Sequence, residues 1–416
     1  MDAKLINTLN LAKETKFYFR YKKTLMRIIN ENDENQRIRR YIQEIPLITK
    51  DDILGHEQDL IPKNLRQRII LTCSSSGTTR GIGSLTYYTE YELGYFMKLS
   101  EKIHNNLTEK KISQNASILV IVPFTLTAIG IIVLMQMLHM KYNTGFIDSK
   151  TNPRKIIDII RRLRPELIKT TPDIFYNLIE YSLKTHSNFR LADYKLHIQF
   201  TGNVISDSRK KQLNELLNVE ISETFGVSEF GGPLGGMCVY DDGMHFYASE
   251  EMLVEIHSFD NKDVWLLHDL KDTIRGKLVA TPLYRQGMIF LRYFTDDIVE
   301  VIPGRCPCGV PYPKLRFLGK IQDCFRRPKD GIIITPYDLE NKLLDTDPSI
   351  WEFKLYVAER KKRGKLLVEY IDTPQISIGD LLGIISDYCG LKIVIEKKKL
   401  GRILRFKPKR RRIIKV

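Results

Sequence analysis

Cysteine is scarce in this chain, six residues in 416, and that excludes a scaffold stapled by disulfides. No Walker sequence occurs, because the G-x-x-x-x-G-K-[ST] spacing is absent and no lysine follows a glycine-rich turn at the right place. The opening Met1-Asp2-Ala3-Lys4 leads into a charged, helix-like stretch to about Tyr41. That stretch has no apolar segment of a secretory signal, so a cytoplasmic location is expected. Between Ala116 and Met140 there is no Asp, Glu, Lys or Arg, and this length alone would suffice for a membrane span. The pattern argues otherwise: Ser117 to Val122 reads as a buried strand, Pro123 ends it, and Gly130 to Met140 reads as a buried helix. Acidic residues are missing from Lys397 to Val416, where eleven Lys or Arg stand and much of the formal net charge of +15 resides. With no aromatic interleaving and no RNA-binding motif, this end is expected to be a solvated tail, or one lying over a bound polyphosphate.

What is present is enough apolar material, 43% of residues, for a large core and two to four domains of ordinary size. Helix-like Asn152 to Leu163, Ile174 to Lys184 and Ser208 to Leu217 alternate with strand-like Leu167 to Pro172, Leu196 to Gly202 and Val219 to Gly226. Such alternation predicts an α/β protein with parallel strands and helices on the sheet faces. From Glu251 the strands come closer together, at Leu253 to Ile256, Lys277 to Thr281 and Met288 to Leu291. After Gly319 follows a smaller strand-helix-strand segment.

Three clusters carry chemistry. Ser74-Ser75-Ser76-Gly77-Thr78-Thr79-Arg80-Gly81 follows an apolar run. Its glycines permit a tight turn of inward N–H groups, and its hydroxyls add donors suited to phosphate. In Phe225-Gly226-Val227-Ser228-Glu229-Phe230-Gly231-Gly232 a carboxylate beside a hydroxyl, after a buried strand, suits Mg²⁺ near a triphosphate. In Leu291-Arg292-Tyr293-Phe294-Thr295-Asp296-Asp297 an acid at a strand end can accept hydrogen bonds from a ribose diol.

In this order the three clusters resemble the adenylate-forming superfamily of acyl-CoA synthetases and peptide-synthetase adenylation domains, and most closely the phenylacetate-CoA ligase group. Ile45-Pro46-Leu47-Ile48-Thr49-Lys50-Asp51-Asp52 is similar to that group's "PxxTKxDL" segment, Thr170-Thr171-Pro172 to its "TPS", Thr201-Gly202-Asn203 to its "GAE", and Arg292 to Asp297 to its "RYRTxDL". The resemblance implies a large adenylation domain over residues 1–318, with mostly parallel sheets flanked by helices and a small barrel-like β part. It also implies a small, mobile α+β lid domain over residues 319–416. Ser75, Ser76, Gly77, Thr78 and Thr79 would cradle phosphates, Glu229 would hold Mg²⁺, and Ser228 would lie near the α-phosphate. Gly202, Asn203, Phe225, Gly226, Asp297 and Lys320 would hold the nucleotide. Phe124, Ile129, Thr171, Phe200 and Gly202 are candidate walls of the acid pocket, although core packing explains each of them singly.

Cys238, His245, Cys306 and Cys308 form C-x6-H and C-x-C patterns. Their N and S atoms suit tetrahedral structural Zn²⁺, with ordinary buried thiols as the alternative, and the resemblance implies the metal, since members of the group look similar at these places. Cys73, Cys324 and Cys389 have no such context. The lid departs from the pattern. Lys320 replaces an arginine, Gln322 an aspartate, and Arg402 of the Gly401-Arg402 dipeptide stands where the group has its catalytic lysine. The segment Arg326 to Gly331, where the group accepts a thiol arm, is also altered. The implied activity is ATP-dependent activation of a carboxylic acid as an acyl-adenylate, passed to a thiol, with coenzyme A as the expected acceptor. A carrier protein, an amine or a deazaflavin that is itself adenylated are the alternatives, and a non-catalytic nucleotide-binding descendant is the rival class. A homodimer is compatible with all of these.

Overall fold

The computed structural model describes residues 1–74, 83–108, 116–124, 128–185, 189–237, 240, 243–403 and 411–416, the side chains of residues 107, 108, 128 and 129 excepted. The chain forms two compact units. One comprises Met1–Asn115, Val122–Asp148 and Ser222–Arg316; the other comprises Ala116–Ile121, Ser149–Ile221 and Phe317–Val416.

The first unit opens with helices Asp2–Lys13, Lys22–Ile29 and Glu34–Glu44. An antiparallel hairpin of Ile69–Ser74 and Leu85–Thr89 then brings Ser74 opposite Leu85. The serine-threonine-glycine loop expected to hold phosphate, Ser75 to Thr79 included, lies outside the described residues. Helix Glu90–Thr108 follows at once. Its Glu92 accepts from Thr89 N and Oγ1 at 2.6 and 2.9 Å, capping the helix start. Farther on, Met252–His257, Ile274–Pro282 and Tyr293–Ile302 pair antiparallel in that order. A second antiparallel set pairs Glu220–Val227 with Gly232–Met237 and then with Met244–His245.

Met288 to Leu291 is not the strand that its apolar run suggests. All four residues are fully buried, but in an irregular connection whose amides bond elsewhere: Ile289 N to Leu60 O at 3.0 Å and Leu291 N to the Tyr18 hydroxyl at 2.9 Å. Complete burial produces an apolar run whatever the backbone does, so composition alone could not distinguish the two.

In the second unit Ser117–Val122, Leu167–Thr170 and His197–Thr201 are parallel, as the helix-strand alternation predicts. The connecting helices, Pro153–Leu163, Pro172–Lys184 and Asp207–Leu217, end where the sequence suggests and start within two residues of it. Asn152 caps Pro153–Leu163 by accepting from Arg154 N at 2.9 Å, and Arg164 and Asn218 end their helices in the left-handed region. The apolar stretch 116–140 is accordingly a strand followed by helix Ala128–His139, and no described helix is long and apolar enough to cross a membrane.

The C-terminal part of this unit is a four-stranded sheet in the order Lys392–Lys398, Arg363–Tyr370, Ile350–Ala358, Ile413–Lys415, with helices Pro336–Thr346 and Ile378–Cys389. Leu343, Phe353, Leu366, Val368, Leu381 and Ile385 pack into one core. The basic end is therefore not simply a solvated tail. Ile413 is fully buried and pairs with Leu355, and Arg412 is buried in an ion pair with Glu340. Arg411 bonds Asp323 and, at 3.0 Å, the Gln322 carbonyl. The apolar Ile413-Ile414 pair supplies the edge strand, and carboxylates meet the charges of Arg411 and Arg412, while residues 404–410 lie outside the described residues.

Candidate functional site

Glu229 lies on the short helical turn Ser228–Phe230 that ends strand Glu220–Val227. Gly231 follows at φ +93°. A Cβ there would stand 2.4 Å from the Tyr88 ring and 2.5 Å from the Phe96 ring, so only glycine permits this turn. The Tyr88 hydroxyl donates to Ser228 O at 3.3 Å and the Tyr284 hydroxyl to Phe230 O at 3.0 Å. The turn is thus held at both ends. Gly226 has a similar reason to be glycine, since a Cβ would meet Gly232 O at 2.6 Å across the hairpin. Its neighbour Phe225 is buried edge-on against Phe246 at 6.3 Å.

Two groups meet the Glu229 carboxylate that the sequence did not single out. Lys50 Nζ stands 3.6 Å from Oε1, and the Tyr293 hydroxyl is hydrogen-bonded to it. Burial first, and then the charge of Glu229, push the Tyr293 phenol well above its ordinary value, so it stays a donor. Their arrival has a local cause. Ile48 bridges Tyr293, with Ile48 N bonded to Arg292 O at 3.1 Å and Phe294 N to Ile48 O at 2.8 Å. Thr49 and Asp52 form a capping box that sets the next turn. The Ile45 to Asp52 segment could have signalled Lys50, but its pairing with Tyr293 is a long-range contact no local pattern encodes.

Asp297 is buried within strand Tyr293–Ile302 rather than at its end. It sits where the pairing with Ile274–Pro282 shifts register, Lys277 opposite Ile298 but Val279 opposite Phe294. Asp296 has φ +63° there. This irregularity is a bulge, a device that redirects side chains next to sites. Arg292, at φ +48°, anchors the strand entry: Nε donates to Glu255 Oε1 at 2.9 Å, Nη2 to Oε2 at 2.6 Å, and Nη1 to Ile45 O at 2.7 Å. Phe124 is half-buried, edge-on to Phe146 at 5.9 Å, with its amide on Asp148 at 2.8 Å. The Ile129 side chain lies outside the described residues.

In the second unit Thr171 precedes helix Pro172–Lys184, and Gly202, at φ +82°, follows strand His197–Thr201. Both turns lie at carboxyl ends of adjacent parallel strands, where open α/β sheets bind ligands. Asn203 Nδ2 joins them by donating to Asp173 Oδ2 at 3.1 Å. Phe200 is buried edge-on against Phe175 at 5.4 Å. Lys320 ends strand Lys314–Lys320, just after Gly319 at φ +133°. Arg402 is not brought to these turns. A Cβ on Gly401 would stand 1.9 Å from Lys184 Nζ and 3.1 Å from Glu180 Oε2, near the far end of the helix that Thr171 opens, about 12 to 18 Å along its axis at 1.5 Å per residue.

His245, Cys306 and Cys308 are brought together, with ligand atoms all within 4.8 Å of one another. His245 Nδ1 faces Tyr312 O at 2.9 Å, and Nε2 faces Cys308 Sγ at 3.1 Å. The carbonyl fixes the proton on Nδ1 and leaves the Nε2 lone pair for a ligand role. Cys238 lies outside the described residues. Cys73, Cys324 and Cys389 are buried free thiols.

This architecture is the fold of the adenylate-forming ligases. The chain covers, over its whole length, 88% of 2-hydroxyisobutyryl-CoA ligase crystallised in the postadenylation state with R3-HIB-AMP, at a TM-score of 0.80 and 16% identity. By sequence its relatives include phenylacetate-coenzyme A ligases. That of Thermus thermophilus is 25% identical over 48% of this chain and 43% of its own length, and that of Pseudomonas putida 24% identical over 61% and 58%. The chain thus spans about half the length of these relatives in the matched regions. No family model matches it.

Proposed function

We propose that the chain is an AMP-forming acid ligase that activates a carboxylic acid with ATP and passes the acyl group to the thiol of coenzyme A. The observation that carries this reading is the Glu229 turn: its backbone is held by Tyr88, Tyr284 and Gly231, and its buried carboxylate is met by Lys50 and Tyr293. The substrate carboxylate attacks the α-phosphorus, the bond to pyrophosphate breaks, and the acyl-adenylate remains. The thiol then attacks the acyl carbon and AMP leaves.

In this reading Glu229 holds Mg²⁺ beside Ser228, Asp297 receives the ribose, and Ser75 to Thr79 receive the phosphates. Lys50 balances the Glu229 charge, and Mg²⁺ held there would supply electrostatic stabilisation at the α-phosphorus and the departing pyrophosphate. Gly202, Asn203, Phe225, Gly226 and Lys320 frame the nucleotide, and Phe124, Thr171 and Phe200 belong to the acid side. The part after Gly319 is the lid and brings Arg402 forward for adenylation. His245, Cys306 and Cys308, with Cys238, would hold a structural Zn²⁺, a role that sulfur donors and an oriented imidazole suit.

Exchange of radiolabelled pyrophosphate into ATP, over a panel of aryl and short acyl acids, tests the activity. The full chain should support acid-dependent exchange and Glu229→Gln should abolish it without unfolding. ATP binding with no exchange for any acid would favour a non-catalytic descendant. Product analysis with coenzyme A, amines and carrier proteins supplied separately distinguishes the acceptor.

A further inference from the structure

The turn that bears Arg402 is built around one buried acid. Glu369 is fully buried in strand Arg363–Tyr370. Its carboxylate accepts from three successive amides: Gly401 N on Oε2 at 2.9 Å, then Arg402 N and Ile403 N on Oε1. Gly401, at φ +73°, turns the chain so that these N–H groups converge, and converging amides make a concavity for an anion. Here the anion is the protein's own. Arg402 N also lies 3.1 Å from Lys399 O, while its side chain is exposed.

We infer that Glu369 is a positioning residue that presets the Arg402 turn for adenylation, an inference that rests on the acid-ligase reading above. The strand with Glu369 and the turn with Arg402 belong to the same small sheet domain, linked through the parallel pairing of Arg363–Tyr370 with Lys392–Lys398. The clasp therefore lies wholly within the segment proposed as the lid and would move with it. An exposed guanidinium on an unrestrained loop would lose much of its effect, since small misplacement of a charge costs orders of magnitude in rate. A carboxylate is required because three donors converge on two oxygens. A glutamine would turn an NH₂ donor toward one of them.

The test is a double-mutant cycle on the full chain, read by pyrophosphate exchange with the best acid of the panel. Glu369→Gln is expected to slow exchange roughly 10- to 100-fold, and to slow thioester formation from supplied synthetic acyl-adenylate and coenzyme A much less. In an Arg402→Ala background the same change should cost no more than about twofold, because coupled residues are not additive. Amide hydrogen exchange at Gly401 to Ile403 should lose protection in Glu369→Gln whether or not activity survives. Equal losses in both half-reactions, or equal losses in both backgrounds, would overturn the inference by showing a merely structural role. So would retained protection, wild-type exchange in Glu369→Gln, or wild-type exchange in Arg402→Ala. If the unaltered chain exchanges with no acid, the acid-ligase reading itself falls and this role with it.

Discussion

Arg209 and Glu340 meet in a fully buried ion pair, Nε to Oε1 at 2.9 Å, that ties helix Asp207–Leu217 to helix Pro336–Thr346. The remaining capacity of Glu340 is used as well, with Ser206 N on Oε2 at 3.0 Å and the Arg412 guanidinium paired to it. Arg209 lies 5.6 Å from the ring centres of both Tyr176 and Trp351. Removing one partner strands uncompensated charge where water cannot reach. Glu340→Ala should therefore cost about 3 to 5 kcal/mol of stability, measured by urea unfolding. A loss under 1 kcal/mol, as for an exposed pair, would show that this cluster is hydrated in solution.

Gly231 offers a test of the Glu229 turn that leaves every catalytic group in place. Alanine there must accept φ +93° and push against Tyr88 and Phe96. Overpacking of this kind costs about 1 to 3 kcal/mol, and displacing Tyr88 loosens its hydrogen bond to Ser228 O. Gly231→Ala is expected to lower the melting temperature and to slow pyrophosphate exchange about tenfold or more. Unaltered exchange would mean that the turn tolerates movement and that its rigidity is not part of the chemistry.

Much of this was legible in the sequence because the signals were local. The helix-like stretches Asn152 to Leu163 and Ser208 to Leu217, the glycines at 226 and 231, and the β-branched run Ser117 to Val122 report their own backbone. What sequence order could not reveal was which distant groups converge. Lys50 and Tyr293 reach Glu229 through the Ile48 bridge. Arg412 appears in a list of eleven basic residues as one more solvated charge, yet it is buried against Glu340. The position of Asp297 at a bulge was hidden for the same reason, since register is a property of two strands together.

The thiolate and imidazole cluster makes a separate prediction. Protein purified without chelator should carry about one equivalent of zinc, measured by metal analysis. Cys306→Ser should lose it and unfold at lower temperature, while Tyr312, which contributes only its carbonyl to His245 Nδ1, should tolerate phenylalanine with metal content intact. A metal-free wild-type protein of unchanged stability would leave His245, Cys306 and Cys308 as ordinary core packing.

Lys169 gives the clearest pH signature. It stands on the middle of the three parallel strands, opposite Val120 on one side and Gln199 on the other. Burial of its ammonium lowers the pKa from 10.5 to about 7, although the residue as a whole is only half-buried. The unfolded chain keeps the ordinary value, so between about 7 and 10.5 the unfolded state holds a proton that the folded state has released. Stability must then rise with pH across this window, by at most about 1.4 kcal/mol per pH unit. It is lost again as the pH falls back toward 7, below which both states are protonated and the slope vanishes. Lys169→Met removes the ionisable group while keeping a long unbranched side chain. The variant should be more stable than the wild type at pH 7, and the difference should shrink as the pH is raised to 9. Urea unfolding of both proteins at the two pH values measures this directly. If the two stabilities run parallel from pH 7 to 9, Lys169 is hydrated or paired in solution and its amine titrates in the ordinary range.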